Sequence, residues 1–248
     1  MLGSGSAQGT EWIERTSPRS RARATGALYL AYFLISILSA LVAPSISGLG
    51  GISSNAATTA DYIQTHVAAV RLAIALGLLS TGCYAALMVL FFLLFRPVSR
   101  TIALFATVFG LIGSTITVVA TLFQAAPLVV LGGDAYLRVF DSRQLQSLAL
   151  LFLNIGGEVG TIALFFFGLF QLALGYLIIK SSFLPRAIGV LIAVAGVGWF
   201  LYLAPPLARA LMTPTEVLGF LAEFSLMLWL LIMGVNADRW LARASAKE

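Results

Sequence analysis

Six long apolar runs alternate with short polar stretches along this chain, and that alternation predicts the architecture. The runs fall at about 26–43, 67–95, 101–125, 148–180, 185–204 and 215–235. At about 1.5 Å of rise per residue, helices of these lengths match a hydrocarbon core of roughly 30 Å. The breaks between them carry helix-stopping chemistry. Arg96-Pro97 and Leu184-Pro185 interrupt the chain between runs, and Pro205-Pro206 closes the fifth. Thr213-Pro214-Thr215-Glu216 offers an N-cap Thr, Pro at the first helical position and Glu at the third, so the last helix is expected to start there with Glu216 as a capping residue. Thr58-Thr59-Ala60-Asp61 is a similar start, which places the beginning of the second helix outside the membrane.

Composition narrows the class. Of 248 residues, 60% are hydrophobic and 10% charged, and the mean hydropathy is +0.98. A soluble domain carries about 25% charged residues, so most of this surface must face lipid. The net charge of +5 is no sign of nucleic acid, because the basic residues sit in tails and loops beside apolar runs, where they act as topology signals and lipid contacts. The single cysteine, Cys83, lies inside an apolar run and is read as a small buried side chain.

Charge placement orients the bundle. With the N-terminus inside, Arg15, Arg19, Arg21, Arg23, Arg96, Arg100, Lys180, Arg186, Arg239, Arg243 and Lys247 are cytoplasmic, which is 11 of the 15 Lys and Arg. Only Arg71, Arg138, Arg143 and Arg209 fall outside. The expected fold is therefore an all-α polytopic bundle of six spans with both termini cytoplasmic. A membrane domain over 23–236 is flanked by a mobile Gly/Ser-rich tail, 1–22, and a short basic tail, 237–248. The first run follows a basic stretch and is long enough to span, so it is read as a helix rather than a removed leader.

Within the spans, the polar residues form stripes. Thr107, Gly110, Ser114, Thr117, Thr121 and Gln124 recur at helical spacing on the third run, and Asn154, Glu158, Thr161, Gly168, Gln171 and Gly175 on the fourth. The fifth adds Gly189, Ala193 and Gly196. Such stripes are either helix–helix seams or the walls of a polar cavity. The fourth run is too long for one crossing. It must project from the membrane or break at Gly156-Gly157, and Asp141-Ser142-Arg143-Gln144 resembles a helix start, with a short surface helix expected somewhere in 127–147. An ionised group at depth costs about 2.5–3.5 kcal/mol on insertion scales, so Glu223 should be neutral or paired. Counting residues from the loops puts Arg71, Gln124, Asn154, Glu158 and Glu223 near one outer level. Those five are the expected ligand-binding cluster, with a structural ion pair between Arg71 and Glu223 as the alternative.

Other chemistry is missing from the sequence. His66 is the only histidine and is read as a surface residue, so multi-His zinc and bis-His haem sites are excluded. No metalloprotease, serine-hydrolase, P-loop or dinucleotide motif occurs. No catalytic residue, metal ligand or cofactor is assigned.

Several stretches carry a family resemblance: Arg23-Ala24-Thr25-Gly26-Ala27-Leu28-Tyr29-Leu30; Arg96-Pro97-Val98-Ser99-Arg100; Phe166-Phe167-Gly168 through Leu174-Gly175-Tyr176 to Phe183-Leu184-Pro185-Arg186 and Gly189-Val190-Leu191; and Leu228-Trp229-Leu230-Leu231 with Gly234-Val235. Over about 23–236 the chain resembles a bacterial membrane family catalogued as a domain of unknown function, serial number forty-three eighty-six. The resemblance implies a six-helix inner-membrane protein with no assigned activity. Three readings follow from the residues. The first is a protein that binds or moves a small or lipophilic molecule through an outward-facing polar pocket. The second is a structural or regulatory subunit, and the third a lipid-modifying enzyme using Glu158 and Glu223 as acid and base. The expected partners are the lipid bilayer and such a small or lipophilic ligand, with no nucleic acid; oligomeric state is left open.

Overall fold

Each apolar run becomes a helix, and most of the described basic residues lie at one end of the bundle, with Arg71, Arg138 and Arg143 at the other. The computed structural model describes residues 17–43 and 55–245, the side chains of 205–209 and 212 excepted. The helices are α1 (Pro18–Val42), α2 (Ala56–Thr65), α3 (Val67–Phe95), α4 (Arg100–Val130), α5 (Ser142–Ser181), α6 (Arg186–Trp199), α7 (Pro205–Ile232) and α8 (Ala237–Ser245). Six segments are long and apolar enough to cross a membrane: α1, α3, α4, α5, α6 with its 3-10 extension Phe200–Leu203, and Thr213–Ile232 of α7. The protein is thus an all-helical, multi-pass membrane protein.

Boundaries follow local capping chemistry; they decide between the two alternatives for the fourth run and correct two other expectations. The fourth run does not break: α5 is a continuous helix of 40 residues, entered through a capping box in which Asp141 and Gln144 satisfy each other's backbone N–H. At about 1.5 Å per residue it is roughly 60 Å long and projects beyond any bilayer. The last long helix does not start at Thr213. It begins at Pro205 and carries Pro214 inside it, and Glu216 accepts a hydrogen bond from the Tyr202 hydroxyl at 3.2 Å rather than capping a helix. Pro205 therefore opens α7 instead of merely closing α6. The first helix begins at Pro18, with Ser17 as N-cap, well before the apolar run; residues 1–16 of the expected mobile tail lie outside the described residues. Elsewhere the sequence reading is close. The expected outer start near Thr58 is a separate helix, α2, capped by Asn55 and ended at the exposed His66. The region 127–147 holds a short 3-10 turn, Ala135–Val139.

At the basic end, charges are used as helix caps. Arg23 donates to the Ile232 carbonyl, Arg239 to Ser182 and Arg243 to Lys180, at 2.8–3.1 Å. These are carbonyls at helix C-termini, where cations are favourable. Trp240 of α8 is buried, donates its indole N–H to the Leu94 carbonyl at 2.8 Å and lies beneath the Arg21 guanidinium.

The apolar core is in two unequal parts. The larger fills the half of the bundle toward the basic loops and includes Tyr29, Leu87, Phe91, Phe95, Phe170, Leu177 and Leu226. The smaller lies beneath α2 at the opposite end, formed by Ala43, Ile63, Val70, Ala73 and Leu153. Between them, α5 packs closely against α4 and α6 but barely touches α3.

Candidate functional site

The layer between the two cores is polar because each helix changes composition there. On α1, Ser36 and Ser39 fall between Phe33 and Ala43; on α3, Gly77, Ser80 and Thr81 fall between Ala73 and Tyr84. Ser114, Thr117, Thr121 and Gln124 supply the α4 wall, and Gly156, Gly157 and Gly160 the α5 wall. Gly156 packs against Ala120 and Phe123 of α4, whereas Gly157 and Gly160 have open space beside them, and opposite a helix that α5 barely reaches this leaves a crevice of about 400 Å³.

Most hydroxyl protons in this crevice are already committed. Thr81, Ser114, Thr117 and Thr121 each donate to the carbonyl four residues earlier in their own helix, at 2.8–3.0 Å. Ser39 donates to the Ala73 carbonyl at 2.8 Å, and Ser36 and Ser80 bond each other at 2.5 Å. A hydroxyl used this way keeps its lone pairs, so these walls present chiefly acceptors. Such back-bonding also explains how Ser and Thr are tolerated within apolar helices.

A second cavity, of about 300 Å³, adjoins the first. Tyr32, Tyr84 and Phe167 line both. Tyr32 and Tyr84 have ring centroids 4.8 Å apart, and Phe167 meets Tyr84 edge-on at 5.4 Å. On the far side of this aromatic wall lies Glu223. Gln171, buried on α5, donates from Nε2 to Glu223 Oε1 at 2.7 Å, and the Trp199 indole N–H donates to Gln171 Oε1 at 3.0 Å. An indole can only donate. It therefore fixes which way the Gln171 amide points and aims the amide N–H at the carboxyl. The Tyr29 hydroxyl is buried without a partner in hydrogen-bond geometry, yet it and the Tyr32 and Tyr84 hydroxyls lie within electrostatic range of Glu223. Among the described residues no Lys, Arg or His lines either cavity.

The five residues singled out in the sequence occupy two levels. Counted along their helices from the basic end, Arg71, Gln124 and Glu158 each lie about 35 Å away and Asn154 about 40 Å. Glu223 lies only about 14 Å from Ile232 on the same measure. Gln124 lines the crevice and Glu223 the inner cavity, whereas Arg71, Asn154 and Glu158 are exposed and line neither. Gln171, not Arg71, is the side chain bonded to Glu223. The polar stripes divide in the same way. On α5, Gly168 and Gly175 form a tight seam with α6: a methyl added to Gly175 would sit 2.6 Å from the Gly189 carbonyl oxygen, and one on Gly168 2.9 Å from that of Gly196. On α4, Gly110 packs against Met88 and Phe170, and from Ser114 onward the stripe opens into the crevice.

The sequence reading missed Tyr29, Tyr32, Tyr84 and Trp199, and saw Gln171 only as part of a stripe. One signal was there to be read. Tyr and Trp gather at membrane interfaces, where the polar end of the ring is wet. Tyr29, Tyr32 and Tyr84 instead stand well inside their helices, where each hydroxyl needs company. No curated protein and no solved structure matches the chain. A family model does match, over residues 24–234, nearly the whole helical bundle, and by it this chain belongs to the family described as a domain of unknown function (DUF4386).

Proposed function

We propose that this protein binds a small or lipophilic molecule in the polar layer between its helices and moves it between that layer and the side of the membrane away from its basic loops. In this reading it does so as a multi-pass protein of a bacterial cytoplasmic membrane, with lipid as its principal surroundings. The observation that carries the reading is the crevice of about 400 Å³ that shares an aromatic wall with a second cavity around Glu223. Small-molecule sites have volumes of about 300–1,000 Å³, apolar walls and a few placed polar groups. Both cavities fit that description, and a Ser/Thr-lined void between two apolar cores has no packing role. The acid–base reading has less support, because Glu158 and Glu223 lie about 20 Å apart along the helix axes, too far to share one substrate atom. Nothing in the geometry favours a purely structural subunit over a binding protein.

Extraction of the protein purified in mild detergent provides the test. Organic solvent should release a compound other than membrane phospholipid from the wild type. Gly157→Phe, whose side chain would extend from a position with open space around it into the crevice, should retain its helix content and release none. Equal release from both proteins, or none from either, would sink the proposal.

A further inference from the structure

We infer that the molecule taken up here is a lipophilic cation, an amine-bearing amphiphile whose ammonium group docks at Glu223. The inference rests on the binding role proposed above and adds the charge of the ligand. Three observations converge on it. First, two acids line the second cavity: Glu216, which is exposed, and Glu223, which is placed near mid-span, accepts from the neutral Gln171 amide and has the Tyr29 hydroxyl beside it. An ionised carboxylate in that setting is unfavourable until a cation joins it, and among the described residues no cationic side chain lines either cavity. Second, the approach to it is aromatic. Tyr32, Tyr84 and Phe167 stand between the two cavities, and the negative faces of aromatic rings attract organic cations. Third, the hydroxyls of Ser39, Thr81, Ser114, Thr117 and Thr121 in the outer crevice have given their protons to carbonyls, so they turn lone pairs toward the void. Such walls suit N–H donors and repel anions. An ammonium at Glu223 with its apolar body threaded past the rings would satisfy all three. A carboxylate or phosphate ligand would meet acceptors and a second acid, and a neutral alcohol would leave the acid without a counter-charge.

Three probes on one scaffold test this with the full chain in detergent: 4-phenylbutylamine as its ammonium, 4-phenyl-1-butanol and 4-phenylbutyrate, each titrated calorimetrically at neutral pH. The ammonium should bind at least about tenfold more tightly than the alcohol, with the carboxylate weaker still. Glu223→Gln keeps an oxygen for the Gln171 amide and removes the charge, so it should abolish the difference between ammonium and alcohol. The wild-type comparison alone decides the matter if that variant fails to fold. Binding of the alcohol or the carboxylate at least as tightly as the ammonium overturns the cation assignment and leaves the pocket reading intact. An unchanged ammonium preference in Glu223→Gln does the same. Binding of none of the three, together with an empty solvent extract, overturns both.

Discussion

The two faces of α5 solve the same packing problem in opposite ways. Toward α6, Gly168 and Gly175 meet Gly196 and Gly189 so closely that backbone nearly touches backbone. On the crevice side, Gly157 and Gly160 meet a void edged with hydroxyls. Glycine is the means in both cases, but in one it brings helices together and in the other it keeps a space clear. Without a hydrophobic drive between helices in lipid, close contact is the main source of attraction. A helix that gives up such contact at Gly157 and Gly160 has therefore forgone stability that packing could supply.

The same substitution on each face separates the two roles. Gly175→Ala should destabilise the protein by about 1–3 kcal/mol, the cost of overpacking, because the added methyl collides with the Gly189 carbonyl and Ala193. Denaturation in mixed micelles, followed by circular dichroism, would reveal it; an unchanged midpoint would mean the α5–α6 seam is looser than described. Gly157→Ala meets nothing within 4 Å. It should stabilise the helix by about 0.5–1 kcal/mol through backbone propensity alone, so a loss of stability there would place packed atoms where the crevice is drawn. The smallest effect belongs to Ser36→Ala, which removes the 2.5 Å hydroxyl pair with Ser80. Side-chain bonds of this kind between membrane helices are worth about 0.6 kcal/mol on average. A cost several times larger would mean that the pair holds α1 to α3 rather than lining a void.

Much of this molecule could be read from its residues, and the part that could not is instructive. Apolar length and proline breaks gave the spans, with Val67–Phe95 matching the expected limits, because in lipid a long apolar run has few structural options. Depth was harder. Thr213-Pro214-Thr215-Glu216 has every local mark of a helix start, yet Pro214 sits inside α7, where Pro205 had already provided the first turn. Counting inward from that apparent start thus put Glu223 near the outer level and paired it, on paper, with Arg71. Its real neighbours come from four other helices: Tyr29 and Tyr32 of α1, Tyr84 of α3, Gln171 of α5 and Trp199 of α6. Residues that far apart in sequence leave no local pattern, and only the assembled bundle reveals that they meet.

The indole of Trp240 bonds a carbonyl 146 positions earlier in the chain, while its neighbours Arg239 and Arg243 close the end of α5. None of these partners is in place until the spans have threaded the bilayer and come together. The short helix that follows them all therefore works as a latch. It can click shut only on a correctly assembled bundle of rods, and a chain with one span misrouted during insertion would leave a tryptophan and two arginines without their partners.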